Sequence, residues 1–443
     1  MEKISIYNLL TNKHDVFFYL ACLLVTFEIF PFHEYGLGSG KSLSTIPCVL
    51  YIVQLLIEHN FSLPKNCKTE FLCILALLLV SLFRGFFVYD DLVGISTSLS
   101  MWGSYAIYIV CFHSFIKDAN KHKIVNMFRC ILCSFKISLL FGILELIYFN
   151  IKTLSFIRSF ILLFVRDEMY IDGGRLQFNF GEAGSGGVLI VGLFSLTIYS
   201  LIKLGYKFTR YDKIEIILIY VIEGLFAMSV TFWATFLLFL LSYFFSSKRR
   251  VSYKVMFIAG VLFLTMVSSL SLISNSVVYS RIEKLTRFQN SNSFDGENSS
   301  ATRFALWYIS YEMFRDNYLL GVGWGNFAME YPKYYKSLPM YLNTQEMTNK
   351  LSSKTHQSYS IFSTALVEGG VLGIFWLFLF YRRLWPNNRY RKIFVPIYLI
   401  FCFQIIIIYK FESLLIALIL SDKKINRYIE GPNYKQFVTK MLK

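Results

Sequence analysis

The chain has 443 residues, of which 55% are hydrophobic, 18% aromatic and 16% charged. Soluble domains carry about 25% charged residues, so this composition excludes an ordinary soluble fold and describes a polytopic membrane protein. The net charge of +16 does not point to nucleic acid. Lys and Arg sit in short clusters between apolar runs, the pattern of cytoplasmic loops beside an anionic leaflet.

A membrane span needs roughly 20 apolar residues. In chain order, candidate spans cover 15–32, 43–60, 69–86, 94–116, 126–149, 184–204, 213–228, 229–246, 254–273, 359–381, 392–408 and 410–421. The fold read from them is an all-α polytopic integral membrane protein with about 12 transmembrane helices. Its parts are N-terminal transmembrane helices (1–149), a first outward loop (150–183), central transmembrane helices (184–273), a large extracytoplasmic loop between spans 9 and 10 (274–357), and C-terminal transmembrane helices with a basic tail (358–443).

Orientation follows from the short loops. Lys65 and Lys68, Lys117 to Lys123, Lys203 to Lys213, Lys248 to Lys254, Arg382 to Lys392 and the tail cations Lys423, Lys424 and Arg427 fall on one side when both termini are cytoplasmic. The positive-inside rule makes that side the cytosol. The first apolar run lacks a small-residue cleavage site and reads as a signal anchor. Of the eight cysteines, all but Cys67 lie in apolar runs, so they read as buried thiols, including the Cys130-x-x-Cys133 pair.

Within the first outward loop, 153–165 is too short to span and reads as an interfacial amphipathic helix. In the second, the Ser- and Asn-rich run 288–302 reads as mobile. Phe304, Trp307, Tyr308, Tyr311 and Phe314 then recur at helical spacing from Arg303 to about Asn317. Gly321, Gly323 and Gly325 break that helix and favour a tight turn.

No ATP is available on the outer side, so a reaction there needs a substrate that is already activated, such as a lipid-linked sugar pyrophosphate. Cations must meet the pyrophosphate, some group must take the acceptor's proton, and aromatic rings suit sugar faces. Arg175 and Arg303 have the planar fork that pairs with phosphate; lipid headgroups or a loop carboxylate are their other partners. His356, at the mouth of a predicted helix, has the near-neutral pKa that proton transfer needs, or it caps the helix. Glu182 either orients the acceptor, acts as base, or caps its helix. Glu368 lies in an apolar run, where a carboxylate is costly and is functional or paired. Trp307, Trp324 and Tyr331 are candidates for sugar stacking, and an interfacial aromatic belt explains them equally. No Asp-x-Asp, paired His or Cys/His cluster suggests a metal site, and no phosphate loop is present. A metal-independent transfer without cofactor is the expectation.

Two runs carry a resemblance. Arg303-x3-Trp307, Asn317-x3-Gly321-x-Gly323-x-Gly325-x-Phe327, His356 and Glu368-x-Gly370-x-x-Gly373, in this order and topology, resemble the O-antigen ligase/polymerase superfamily. The block Arg175-Leu176-Gln177-Phe178-x-Phe180-x-Glu182-x-x-Ser185 is similar to the Arg…Glu-Pro-Ser element of Wzy-type O-antigen and capsule polymerases, with Ala183 in place of the proline. The resemblance implies polymerisation of oligosaccharide repeat units carried on undecaprenyl pyrophosphate, at the outer face of the bacterial cytoplasmic membrane. It implies that Arg175 and Arg303 bind the donor's pyrophosphate and that His356 takes part in catalysis. It also implies a lipid-linked oligosaccharide substrate and a chain-length regulator as partner. The alternatives are a ligase that moves finished polymer to lipid A core, and a polysaccharide transporter or flippase.

Overall fold

The computed structural model describes residues 15–27, 42–58, 68–151, 153–164, 176, 178–180, 186–187, 189–226, 230–246, 299–339, 342–343, 345–352, 358, 360–384, 391–396, 414, 417–419, 424–425 and 427–428. Among them every regular element is a helix. In a bilayer each backbone polar group must be satisfied within its own segment, and a helix does this without a partner strand.

The helices are α1 (Val16–Leu23), α2 (Thr45–Ile57), α3 (Lys68–Arg84), α4 (Val93–Asp118), α5 (Lys121–Asn150), α6 (Ser155–Leu162), α7 (Ser195–Lys203), α8 (Arg210–Phe226), α9 (Val230–Ser246), α10 (Ser299–Asp316), α11 (Phe327–Tyr335), α12 (Gln345–Asn349) and α13 (Ile361–Leu384). Among the described residues four helical stretches are long and apolar enough to cross a membrane: Phe71–Tyr89, Val93–Asp118, Lys121–Asn150 and Ile361–Arg382. Thr45–Ile57 and Ile190–Lys203 are apolar but shorter.

Among the described residues most helix ends fall within a turn of the apolar runs, while the run 254–273 and most of 392–408 and 410–421 lie outside the described residues. The first is different, because the run 15–32 does not continue as one helix past Leu23. Thr26 turns its backbone N–H and hydroxyl to Ser134 of α5, at 3.2 and 2.8 Å. A threonine that binds a distant hydroxyl this way competes with the helical ladder. Of the run 288–302, read as mobile, residues 299–302 instead open α10; the rest lies outside the described residues.

Helix α5 is the central strut, packing against α1, α6, α7 and α8. Asn120 caps it by accepting the Lys123 N–H at 2.9 Å. Midway, Lys136 pairs with Asp212 and Glu215 of α8, both at 2.5 Å. Cys22, Cys48, Cys73, Cys111 and Cys130 are buried and free, and Cys133 is half-buried, as thiols packed in apolar runs should be. On the far side of the bundle α3 packs between α4 and α13. Leu72, Leu75, Leu79, Phe83 and Phe86 on α3 and the turn after it remain exposed, which is the face a lipid-bathed helix presents.

A second, separate apolar cluster forms beyond the spans. Ala305, Leu306, Ile309 and Met313 line one face of α10 and close on Phe327, Tyr331, Tyr334, Leu342 and Met347, with Val322 and Val367 at its floor. The described residues from 299 to 352 therefore form a small packed unit seated on α13.

Candidate functional site

The floor of that unit is a glycine loop sunk between helices. Gly321, Gly323 and Gly325 have φ of 67, 87 and 84°, the left-handed turn that their spacing suggested. The loop meets α13 at a break. Gly370 has φ 55° and ψ −139° inside the helix, a conformation essentially reserved for glycine. The helical bonds interrupted there are replaced across the gap. Val322 N–H donates to Val367 O at 2.9 Å, Gly323 N–H to Glu368 O at 3.0 Å, and Val371 N–H to Tyr318 O at 3.0 Å.

Glu368 completes the lock. Its Oε2 accepts the Gly325 N–H at 2.9 Å, and the residue is 1% exposed. The carboxylate, flagged in the sequence as costly, is matched among the described residues to loop backbone. Ser81 of α3 donates its hydroxyl to Trp324 O. A Cβ on Gly325 would lie 2.0 Å from Gly94 O, and one on Gly94 would lie 1.8 Å from Asn326 Oδ1. The loop thus touches residues inside α3, α4 and α13, not only their ends. Irregular backbone at such depth is tolerated where protein surrounds it.

Trp324 stacks on Trp102 of α4 with centroids 4.0 Å apart and planes 9° apart, and Trp376 of α13 meets Trp102 edge-on at 5.0 Å. Trp324 is 1% exposed and Tyr331 is fully buried, its hydroxyl donating to Met347 O at 2.9 Å. Neither ring presents an open face to a sugar in this conformation. Trp307 and Arg303 are half-buried on α10.

A chain of polar contacts runs along the rim of the loop. Arg84, in the last turn of α3, donates from Nη1 to Asn317 Oδ1 at 3.3 Å. Asn317 Nδ2 donates to the Tyr334 hydroxyl at 3.4 Å, and that hydroxyl donates to Asp316 Oδ2 at 2.9 Å. Tyr89 donates to Glu330 Oε1 at 3.1 Å. Burial, and then the bond to Asp316, raise the Tyr334 phenol above its usual range. Lys333, hydrogen-bonded to Tyr334, is raised as well.

Residues 176 and 178–180 are anchored separately. Leu176, Phe178, Asn179 and Phe180 are all buried. Glu145 of α5 accepts the Phe178 N–H at 3.1 Å, and Asn179 Nδ2 donates to Thr26 Oγ1 at 3.1 Å. Phe178 holds a left-handed φ of 57°. Its ring lies so close to Gly142 that a Cβ there would sit 2.5 Å from Phe178 Cε1. Helix α6 (Ser155–Leu162) stands where the interfacial helix was read.

Arg175, Glu182 and His356 lie outside the described residues, so no distance joins them to Arg303. Sequence reasoning passed over Arg84, Glu145 and Trp102. For Glu145 the signal was present, since a carboxylate in an apolar run carries the same warning as Glu368. Among the described residues no group of three or more His, Cys, Asp or Glu could hold a metal ion.

Residues 216–378 match a family model described as O-antigen ligase. That stretch, somewhat over a third of the chain, is similar to the O-antigen ligase family. The matched stretch holds Arg303, the glycine loop and Glu368. No curated protein matches the chain. The four apolar helices among the described residues fit a multi-pass membrane protein, and the likeness of residues 216–378 fits a membrane enzyme of the glycosyl-transferring kind. The match gives the flippase reading no support.

Proposed function

We propose that the chain polymerises undecaprenyl-pyrophosphate-linked repeat units at the outer face of the inner membrane, with both termini in the cytosol. The superfamily match carries the ligase/polymerase class. The choice of polymerase rests on the first-segment element Arg175…Glu182…Ser185.

In this reading a growing chain on undecaprenyl pyrophosphate is the donor and a newly delivered repeat unit is the acceptor. An acceptor hydroxyl attacks the donor's anomeric carbon, with inversion. The new glycosidic C–O bond forms as the bond from that carbon to the pyrophosphate oxygen breaks. His356 or Glu182 takes the hydroxyl proton. Arg175 and Arg303 hold the departing pyrophosphate, and preorganised charge of this kind is usually the largest catalytic contribution. The residues that bind and shift protons belong to the chain, so a metal ion has no assigned part. A chain-length regulator is the protein partner that the reading implies.

The ligase remains the second reading, favoured by the description of the matched family. A deletion strain separates the two. Loss of a polymerase leaves surface glycan of a single repeat unit, whereas loss of a ligase strands long polymer on undecaprenyl pyrophosphate. Arg303→Ala and Arg303→Lys, expressed at wild-type level in that strain, should both fail to restore long polymer. Normal ladders from both would remove Arg303 from the site.

A further inference from the structure

Arg84 stands apart from the other cations of the membrane helices. The clustered Lys and Arg of the short loops gather at one end of the bundle, and Arg84 is at the other, just ahead of Asp90 and Asp91. The positive-inside rule gives no reason for a cation there. A guanidinium has five N–H donors in a planar fork. Here Nη1 reaches the neutral amide oxygen of Asn317 at a long 3.3 Å, and the guanidinium also lies within hydrogen-bonding reach of the neutral Tyr89 hydroxyl, which leaves most of its five donors unmatched. Among the described residues Arg84 forms no ion pair.

The carboxylates of the surrounding cluster are engaged elsewhere. Glu330 accepts from Tyr89, and Asp316 accepts from Tyr334 and lies 3.7 Å from Arg315. Lys333, the other cation of the cluster, lies over the Tyr334 ring at 4.8 Å. The base of the Arg84 side chain lies against the glycine loop, since a Cβ on Gly323 would stand in van der Waals contact, 3.7 Å from Arg84 Cβ. The helix unwinds directly after it into a π turn, Gly85–Tyr89, ended by the left-handed Asp90. Such π turns recur at functional sites. On the adjoining faces Phe83, Phe86 and Phe87 are 60, 56 and 77% exposed. A half-buried cation with unused donors therefore borders an apolar, lipid-facing surface.

We infer that Arg84 binds a phosphate carried on a lipid. Two sources share that chemistry, the pyrophosphate of the lipid-linked saccharide and the headgroup of an anionic phospholipid. The first rests on the proposed function and the second does not. The planar fork grips two phosphoryl oxygens at once, which an ammonium cannot do.

The test compares wild type with Arg84→Gln and Arg84→Lys, purified in a non-ionic detergent and matched for melting temperature. Undecaprenyl pyrophosphate is titrated into each, and retained phosphatidylglycerol is weighed by native mass spectrometry. A loss of at least about tenfold in undecaprenyl pyrophosphate affinity, in Lys as well as Gln, assigns the residue to the substrate. Loss of phosphatidylglycerol alone assigns it to the headgroup. If Gln does not fold, Lys carries the test, because it keeps the charge and removes the fork. Unchanged affinity and unchanged retention overturn the inference. Wild type that binds undecaprenyl pyrophosphate but forms no glycosidic bond would instead count against the proposed function.

Discussion

Glu368 illustrates what a single buried carboxylate can hold together. Its side chain and its own carbonyl take two successive odd-numbered amides of the glycine loop, Gly325 and Gly323. Truncation to alanine strands the Gly325 N–H in a dry site, at a cost of ~1–3 kcal/mol. Glu368→Ala should therefore melt earlier in detergent, while Glu368→Gln, which keeps a side-chain oxygen, should stay near wild type. Equal melting of both variants would mean that the carboxylate does not clamp the loop. The sequence marked Glu368 because an apolar run surrounds it, and that physical signal held. It could not name the partner, since a carboxylate's match to an arginine or to a backbone amide depends on what folds against it. Trp324 shows the reverse. Its place in a glycine loop suited a sugar platform, yet the ring is filled on one face by Trp102, some two hundred residues earlier in the chain. Spacing carries no trace of such a long-range stack.

At the scale of elements, α10 and the main spans were legible because period and run length are local properties. The break in α13 was not, although Gly369-Gly370 lay in plain view. Glycine pairs occur in unbroken membrane helices, and only the docking of residues 318–325 turns this pair into a joint. The joint makes a sharp prediction. Gly370→Ala forces a side chain into a glycine-only conformation, which costs about 1–3 kcal/mol, and puts a Cβ 2.6 Å from Gly321 N. The variant should lose thermal stability and long polymer together. Gly205, with φ 83° but open space around it, is the control, since Gly205→Ala should bear only the conformational penalty. Similar melting of the two variants would deny the loop its tight seat. The shortened α1 is a further case that local sequence could not give, because the Thr26 bonds that end it come from α5.

Across the whole molecule, residues 178–179 are anchored on α5 and on Thr26 just after α1, and the glycine loop on α3, α4 and α13. The two anchors use different helices. The likeness to O-antigen ligases was readable in Gly321-x-Gly323-x-Gly325 and Glu368-x-Gly370, because these residues form the lock between the glycine loop and α13 and the glycines' positive φ angles fix their type. Polymerase against ligase is a matter of which acceptor enters, and acceptor recognition leaves no comparable backbone constraint in the chain. The most direct measurement is therefore of the product. Purified protein in liposomes, supplied with undecaprenyl-pyrophosphate-linked repeat units on the accessible face, should release a ladder of lengthening glycan, and Arg303→Ala should release none. Transfer of preformed polymer to lipid A core without any ladder, or no new glycosidic bond at all, would contradict a polymerase.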